Sequence, residues 1–416
     1  MYTWISLYDV ARLQPQELLT KGYISAEPDK KEFNTKLTFT IEDSHERILL
    51  TVPHYPEYSY GDYMLLSGDI EPPTSFETDT GRIFHYDTYL KKDKIYYVAR
   101  HPNITLLSSG THGSTLTKNL LLFKKALVRR IERYLPEPHA SLLSGLLVGA
   151  KSSMGDELLN QFRITGVIHI VVLSGFNVTI IAEAIMRVLA FMGVAASAVF
   201  GSIAILFFTI MTGASATVVR ASLMAFLVII ARVTGYQSEI LRALWIAAFF
   251  MIMHNPMIVL YDPSFQLSFL ATLGLVVLVP RVETYLSIIP RTKFDFRGLA
   301  AASLGTQIFV LPMLIWMTGE ISLVSPAVNI LVLWVVPVTM LLGFIMILVS
   351  FVSHSITLLV MTVTWLLLGY ILTLVDWFAH VPFAIVTSPE IQVTGLVALY
   401  FSYICIYIFC TKKQAE

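Results

Sequence analysis

The hydrophobic pattern divides the chain into two parts. Up to about residue 108, apolar and polar positions alternate in short segments such as KLTFTIED (36–43), ERILLTVPH (46–54) and KIYYVARH (94–101). Alternation with a period of two predicts β-strands with one buried face, and the Gly- and Pro-rich segments between them predict turns. About five strands of this size suit a small barrel or sandwich, and we expect an OB-like β-barrel.

From residue 165 onward the pattern changes to long apolar runs. They cover about residues 165–187, 195–212, 215–233, 240–254, 264–280, 298–317, 324–350, 355–379 and 391–410. Runs of this length predict helices that span a lipid bilayer. Because Pro312 and Pro337 lie inside two of the runs, broken helices are expected there. We therefore predict a polytopic α-helical membrane protein of about nine spans with an N-terminal OB-like β-domain.

A third pattern joins these two parts. In residues 116–135, apolar residues recur at steps of three and four, which predicts an amphipathic helix. Its basic residues are Lys118, Lys124, Lys125, Arg129, Arg130 and Arg133. Such a helix either lies on the bilayer or packs on the β-domain with a solvated face. Residues 136–151 are apolar but too short to span, so we expect an interfacial or re-entrant helix.

Composition supports this division. The chain is 55% hydrophobic and 14% charged, well below the roughly 25% charge of soluble domains. Its net charge is zero and its two cysteines lie in the last apolar run, so neither indicates a partner or a disulfide framework. The predicted domains are residues 1–112, an extracytoplasmic OB-like domain; 113–151, basic amphipathic and interfacial helices; and 152–416, the transmembrane domain.

The loops between the apolar runs predict the orientation. Their lysines and arginines lie almost entirely on one side of the membrane, which places the C-terminus in the cytoplasm and the β-domain outside. The first residues, MYTWISLYDVARLQ, hold neither the apolar core of a signal peptide nor a spanning helix. Either the first span acts as a reverse anchor or the natural chain begins further upstream, and we favour the second explanation.

Polar residues inside the apolar runs are the candidate functional residues. In chain order they are His169, Ser174, Asn177, Arg220, Asp262, Gln266, Ser268, Gln307 and Asn329. On one continuous helix, the first three fall within an arc of roughly 140°, so one flank of that helix would be polar. Unpaired polar groups are costly in hydrocarbon, and this flank should therefore face protein or water.

Arg220 is the strongest of these candidates. A charged residue in a span costs about 2.5–3.5 kcal/mol on insertion scales, so it requires a partner or a water-filled cavity. Asp262 is the expected partner, because the predicted topology puts both residues near the outer face. Hydrogen bonds between helices explain Gln307 and Asn329 at least as well as a functional role does. The number of polar positions still favours a hydrated pathway.

Four membrane segments together carry a recognisable set of motifs. They are LLVGAKSSMGDELLNQFRITGVIHIVVLSGFNV (146–178), TGASATVVRASLM (212–224), DPSFQLSFLA (262–271) and the helices that hold Gln307 and Asn329. In order and spacing they resemble the ComEC family, the competence proteins that pass DNA through the bacterial inner membrane. YGDYMLLSGDIEPP (60–73) is similar to that family's OB-type domain. The resemblance covers nearly the whole chain and adds Arg163 and Gly175 to the motif residues.

The resemblance implies a multi-pass channel of the bacterial inner membrane that takes up single-stranded DNA during natural transformation. Residues 152–416 would be its competence-type channel domain. Arg163 and the polar residues of the spans would line the DNA path, and the six basic residues of the amphipathic helix would attract DNA at the entrance. The implied partners are single-stranded DNA, membrane lipid, a separate nuclease, a DNA receptor and a cytoplasmic motor. No catalytic residue, metal or cofactor is implied.

The chain departs from the family pattern at three points. Asn177 stands where the family usually has histidine, which removes a titratable group but keeps hydrogen bonding. The membrane helices that normally precede the outer domain have no counterpart in the sequence. The sequence also has no HxHxDH cluster of the metallo-β-lactamase-like nuclease domain found in many members. We therefore expect a form without that domain, so that any strand degradation needs another protein.

Two other functions stay open at this point. A carrier of another polymer or of a small solute would share the polar spans but leave the β-domain and the basic helix unexplained. An intramembrane serine protease would use Ser215, with His169 or His254 as its base. That chemistry requires hydrogen-bond contact and an oxyanion hole, which no feature of the sequence indicates. Residues 18–112 also hold ten basic against fourteen acidic residues, which argues against strong DNA binding by the whole β-domain.

Overall fold

The computed structural model describes residues 17–78, 80–150, 154–171, 174–235, 239–288, 295–389 and 391–415. The predicted boundary at residues 151–152 and the start of the predicted β-domain lie outside these ranges. The chain forms two compact units. The sheet unit holds the described residues up to Phe76 together with Phe84–Leu121. The helical unit holds Glu77–Ile83 and the described residues from Leu122 onward.

The elements up to residue 108 are mostly strands, as the alternating pattern predicts. They are β1 (Glu17–Ile24), β2 (Asp29–Lys30), β3 (Thr35–Ile41), β4 (Arg47–Val52), β5 (Tyr63–Asp69), β6 (Phe76–Glu77), β7 (Ile83–Phe84), α1 (Tyr86–Lys91), β8 (Ile95–Arg100) and β9 (Asn103–Ser108). The main sheet has the order β8-β4-β3-β1-β5-β9, with β2 beside β3. Phe39, Leu50 and Leu66 belong to its core.

The expected closed barrel is corrected to an open sheet. One edge of β5 pairs with β1 and the other pairs with β9. Both edges of β5 are therefore occupied, and β8 meets this region only through an isolated bridge between Glu71 and Val98. β8 pairs along its length with β4 instead, and this is the parallel pair of the sheet.

The rest of the described chain is almost entirely helical. Its helices are α2 (Thr115–Tyr134), α3 (His139–Val148), α4 (Asp156–Ile164), α5 (Ile168–Val171), α6 (Gly175–Leu189), α7 (Val194–Met211), α8 (Ala216–Thr234), α9 (Ile240–His254), α10 (Ile258–Tyr261), α11 (Pro263–Val277), α12 (Val279–Tyr285), α13 (Phe296–Thr318), α14 (Ser325–Leu333), α15 (Val336–Val349), α16 (His354–Ala379) and α17 (Val393–Ala415). Two short strands, β10 (Glu320–Ser322) and β11 (Ile385–Thr387), pair with each other.

Length and composition identify five helical segments among the described residues that can cross a membrane. Two bent pairs, α11 with α12 at 49° and α14 with α15 at 42°, raise this number to seven if each pair is one span. These apolar helices are typical of a multi-pass membrane protein. Each of the nine predicted runs contains a helix or a bent pair. However, α9 and the apolar part of α17, Val393–Tyr403, are shorter than the five helical segments that can cross a membrane. The number nine therefore stays a prediction.

The two prolines behave differently. Pro337 lies in the first turn of α15, directly after the bend that separates α14 from α15, which confirms the predicted break. A proline fits there because the first N–H groups of a helix have no partner within it. Pro312 lies inside α13, which continues as one helix through it. The break predicted at Pro312 is therefore wrong.

The predicted interfacial helix is α3, and it is buried. Every residue from Ala140 to Val148 is buried in the helical unit. A ten-residue apolar helix of this kind suits a core or re-entrant position better than a membrane surface.

The segment Glu77–Ile83 belongs to the helical unit although it lies within the sequence of the sheet unit. Arg82 donates hydrogen bonds to the carbonyl oxygens of Ile315 and Trp316, at 2.5 Å for Trp316. Thr80 Oγ1 donates to the carbonyl oxygen of Thr318 at 3.0 Å. These carbonyls are in the last turn of α13, where a helix runs out of N–H groups to bind them, although the Ile315 oxygen also accepts from the Gly319 N–H at 3.0 Å. The segment therefore caps the carboxyl end of α13.

Two glycines allow α11 and α12 to approach α13 closely. A Cβ atom at Gly274 would lie 2.9 Å from the carbonyl oxygen of Gly305, and one at Gly305 would lie 2.8 Å from Val279 Cγ2. Small residues at helix contacts are a common means of packing helices in membranes.

We expect Gly274→Val to lower the thermal denaturation midpoint of the purified full chain in detergent. The added side chain would meet backbone atoms, which cannot move aside, and overpacking of this kind costs about 1–3 kcal/mol. Gly155→Ala is the matched control, because nothing lies within 4 Å of a Cβ atom at Gly155. Equal midpoints for Gly274→Val and the unmodified chain would contradict this close contact.

Candidate functional site

The first predicted span is interrupted at Ser174. This residue has an extended backbone, with φ −96° and ψ 164°, and forms the N-cap of α6. α5 has already ended at Val171. The prediction of one continuous helix with His169, Ser174 and Asn177 on a single flank is therefore wrong. Serine is a favoured N-cap residue because its hydroxyl binds a free N–H group of the first turn.

Asn177 holds the two helices at this break together. Its side chain is fully buried, and Nδ2 donates to the carbonyl oxygen of Ile170 at 3.0 Å. Ser174 Oγ donates to Asn177 Oδ1 at 3.3 Å and accepts from the Asn177 N–H at 3.4 Å. Both ends of the amide are thus used within the break.

Arg220 extends from α8 towards the same break. It is only 8% exposed. Its Nη1 donates to Thr272 Oγ1 on α11 and lies 3.8 Å from Met224 Sδ. Its Nη2 lies against Gly175, where a Cβ atom would be only 2.7 Å away. Arg220 therefore connects α6, α8 and α11, and the neutral hydroxyl of Thr272 takes the place of the expected carboxylate.

Asp262 has a different role from the one predicted for it. It is the N-cap of α11, and its Oδ1 accepts from the N–H of Ser264 at 2.9 Å. Gln266 Nε2 donates to the carbonyl oxygens of Val259 and Leu260, at 2.7 and 3.1 Å. Asp262 and Gln266 thus shape the junction of α10 with α11.

Ser268 lies one turn before the partner of Arg220. Its carbonyl oxygen accepts a hydrogen bond from Thr272 Oγ1 at 3.0 Å. Ser268, Thr272, Arg220, Gly175, Ser174 and Asn177 make up what we call the arginine cluster.

A second group of polar residues surrounds Gly166. This glycine has φ +71°, and a Cβ atom would lie 2.5 Å from Ser325 Oγ. Only glycine fits both the backbone conformation and the close approach. The Gly166 carbonyl oxygen lies 3.2 Å from His169 Nδ1, whose imidazole is exposed. The Thr165–Gly166 (TG) turn therefore lies with Gly166 beside the N-terminus of α14.

Gln307 and Asn329 belong to this second group, which we call the amide cluster. Gln307 Nε2 donates to the Ser322 carbonyl oxygen at 3.4 Å, and Asn329 Nδ2 donates to Ser325 Oγ at 3.3 Å. The amide oxygens of both residues and the hydroxyls of Ser303 and Ser322 are buried without a partner among the described residues. Buried polar atoms are normally hydrogen-bonded, so these four unpaired oxygens are an exception within the helical unit.

Comparison with known proteins identifies the family. A family model described as "Competence protein" matches residues 146–413, which include both clusters. The chain belongs to this family, that of the ComEC competence proteins. One curated relative is ComE operon protein 3 of Bacillus subtilis (strain 168), 24% identical over 308 residues. The match covers 73% of this chain but 37% of that protein, so the chain spans well under half of the relative's length. No solved structure matches.

Arg163, another motif residue carried over from the competence family, touches the amide cluster through its backbone, because its carbonyl oxygen accepts from the Gly166 N–H at 2.9 Å. It is exposed in the last turn of α4.

The basic residues of α2 are in three different environments. Lys125, Arg129 and Arg133 are exposed, and Lys124 is buried. Lys118 Nζ donates to the Gly110 carbonyl oxygen at 2.8 Å, and the Arg130 guanidinium lies 4.0 Å from the centre of the Phe351 ring.

Metal binding and serine-protease chemistry would each need a different arrangement of side chains. The described residues contain no group of three or more His, Cys, Asp or Glu side chains able to hold a metal ion. Ser215 Oγ lies 3.1 Å from Thr217 Oγ1, and His169 Nδ1 faces a backbone carbonyl. The geometry gives Ser215 a hydroxyl partner where a protease would place its base.

Sequence reasoning missed Thr272, Ser322 and Ser325. Thr272 lies four residues after Ser268 on one helix, a spacing that puts both on the same face of α11. Ser325 lies four residues before Asn329 in α14 in the same way. These spacings could have indicated them, but pairing with Arg220 or Gly166 depends on contacts between distant helices.

Asn177→Ala should lower the thermal denaturation midpoint of the full chain. It leaves the Ile170 carbonyl oxygen without its buried donor, and such a loss costs about 1–3 kcal/mol. Thr179→Ala is the control on the same helix, because Thr179 is exposed and its hydroxyl binds only the Gly175 carbonyl oxygen of α6. If both variants melt at the same temperature, Asn177 does not hold the break.

Proposed function

We propose that this chain forms a path for single-stranded DNA across the bacterial cytoplasmic membrane during natural transformation. Membership of the competence family supports a role in DNA uptake. The observation that carries the proposal is the amide cluster, where several buried side-chain oxygens have no partner inside an apolar helical unit. Such groups are costly in a dry environment and are explained by a hydrated path between the helices.

The side chains that would line this path suit a strand that has to pass through and be released. A conduit has to bind its cargo strongly enough to admit it and weakly enough to release it. Amides and hydroxyls offer hydrogen bonds to water, bases and phosphates without fixed charge. Arg220 adds a buried positive charge in the arginine cluster.

We propose that α2 attracts the strand at the entrance. Lys125, Arg129 and Arg133 are four residues apart and exposed, so they lie along one side of the helix. Cations in such a row bind phosphates and release counterions.

By the positive-inside rule, the sheet unit lies outside the cell and the C-terminus lies in the cytoplasm.

We infer that the sheet unit is a partly open OB-type fold, a class that binds single strands by charge and by stacking of bases on aromatic rings. Tyr55, 79% exposed, is a candidate for such stacking. The chain itself has no catalytic role in this proposal, and a separate nuclease, a DNA receptor and a cytoplasmic motor are its expected partners.

Proteoliposomes that contain the purified full chain should take up a labelled single-stranded oligonucleotide but not a duplex of equal length. Arg220→Ala should abolish this uptake, because it removes the buried positive charge of the proposed path. Arg232→Ala on the same helix is the control, since Arg232 is exposed. Uptake of both DNA forms, or of neither, would argue against a path for single strands.

Charge neutralisation of α2 should weaken oligonucleotide binding and its dependence on salt. Each phosphate contact with a single strand contributes about 0.7 to the magnitude of the slope of log K against log salt. Replacement of Lys125, Arg129 and Arg133 by glutamine should therefore reduce the magnitude of this slope by about 2. Glutamine at the exposed Arg187, Arg232 and Arg242 is the matched control. Equal slopes for the two triple variants would show that α2 does not bind the strand.

A further inference from the structure

Two positive centres meet at Gly175. One is the Arg220 guanidinium, whose recorded partners in the described chain, Thr272 Oγ1 and Met224 Sδ, are both neutral. Its Nε has no hydrogen-bond partner there. The other is the N-terminus of α6, because aligned peptide dipoles give a helix a partial positive charge at that end.

The first turn of α6 has backbone N–H groups that make no hydrogen bond within the described chain. The N–H groups of Asn177 and Val178 bind the side chain and the carbonyl oxygen of Ser174, at 3.4 and 3.2 Å. The N–H groups of Gly175 and Phe176 have no such acceptor in the described part of the chain. Arg220 Nη2 lies against the same Gly175, and Arg220 Nε is buried without a partner in the described chain.

The missing side chain of Gly175 permits this arrangement. A Cβ atom there would lie 2.7 Å from Arg220 Nη2. Like charges that are buried together repel each other, and the repulsion disappears when an anion lies between them. Backbone N–H groups at a helix N-terminus and a guanidinium fork are both well suited to phosphate oxygens.

We propose that Gly175, Phe176 and Arg220 form a binding site for one phosphodiester group. This inference rests on the proposed function for the source of the phosphate, a nucleic-acid strand. The same chemistry is present in the headgroup of an anionic phospholipid. The site offers one full positive charge, that of Arg220, to a single phosphate. A strand can therefore bind and leave one nucleotide at a time.

The test uses the full chain in nanodiscs of zwitterionic lipid and the probe thymidylyl-thymidine, which carries one phosphodiester and cannot reach several sites at once. Saturation-transfer NMR gives its affinity. Arg220→Gln should weaken binding by about tenfold or more, as expected for loss of hydrogen bonds from a charged donor. Arg232→Gln, the same charge change at an exposed position of α8, should bind as the unmodified chain does.

Gly175→Ala tests the geometry with the charge retained. Its methyl group should push the guanidinium away from the helix N-terminus, and we expect binding several-fold weaker with a similar denaturation midpoint. Arg220→Lys keeps the charge but loses the fork, and should fall between the unmodified chain and Arg220→Gln. Unchanged binding in Arg220→Gln, or equal losses in Arg220→Gln and Arg232→Gln, would overturn the site.

Two further outcomes separate the sources and the proposals. Binding of soluble glycerophosphoglycerol, the headgroup of an anionic lipid, without binding of thymidylyl-thymidine would overturn the nucleic-acid source. Binding of thymidylyl-thymidine that depends on Arg220, in a chain that takes up no oligonucleotide, would support the site while contradicting the proposed function. Uptake lost in Arg220→Ala with unchanged thymidylyl-thymidine binding in Arg220→Gln would do the reverse.

Discussion

The helical unit has to bury the guanidinium of Arg220 among apolar helices, and the arrangement around it follows from that constraint. A charged group in such a place is tolerated only where polar groups surround it. Thr272 provides a hydroxyl from α11, and the missing side chain of Gly175 leaves space for the guanidinium against α6. The break at Ser174 creates this contact, because a continuous helix would have no N-terminus there. Asn177 then stabilises the break itself.

The amide cluster depends on the same segment of chain. The TG turn at Gly166 lies eight residues before Ser174, and it can approach Ser325 only because it has no side chain. Two glycines, each at a place where a Cβ atom would collide, thus bring Gly166 against α14 and Gly175 against α8. Glycine spacing and helix breaks position the polar groups of both clusters.

Sequence alone predicted the features that depend on local chemistry. The long apolar helices, the break before Pro337 and the alternating strands of the sheet unit all follow from periodicity and from the properties of proline. The break at Ser174 was missed, because the apolar residues around it dominate any average over the length of a span. A serine before a new apolar run is nevertheless a signal for a helix start. Asp262 followed by Pro263 likewise indicates an N-cap, the role that the structure gives to Asp262.

Features that depend on distant contacts could not be predicted. The strands of the sheet unit were identified, but only the structure shows that β9 occupies the edge of β5 that a closed barrel would need for β8. The family resemblance identified Arg220 as a motif residue, and the predicted topology gave it Asp262 as a partner instead of Thr272. The choice of Thr272 depends on how α8 and α11 are rotated against each other, which hydropathy does not report.

The cap on α13 has a consequence for how this protein changes during evolution. The carboxyl end of that helix is completed by Arg82 and Thr80, which the gene encodes between two stretches of the sheet unit. A recombination event that exchanged residues 17–121 for an unrelated domain would also remove the cap. The two units therefore cannot be inherited as interchangeable modules, and each is expected to tolerate substitution only in step with the other.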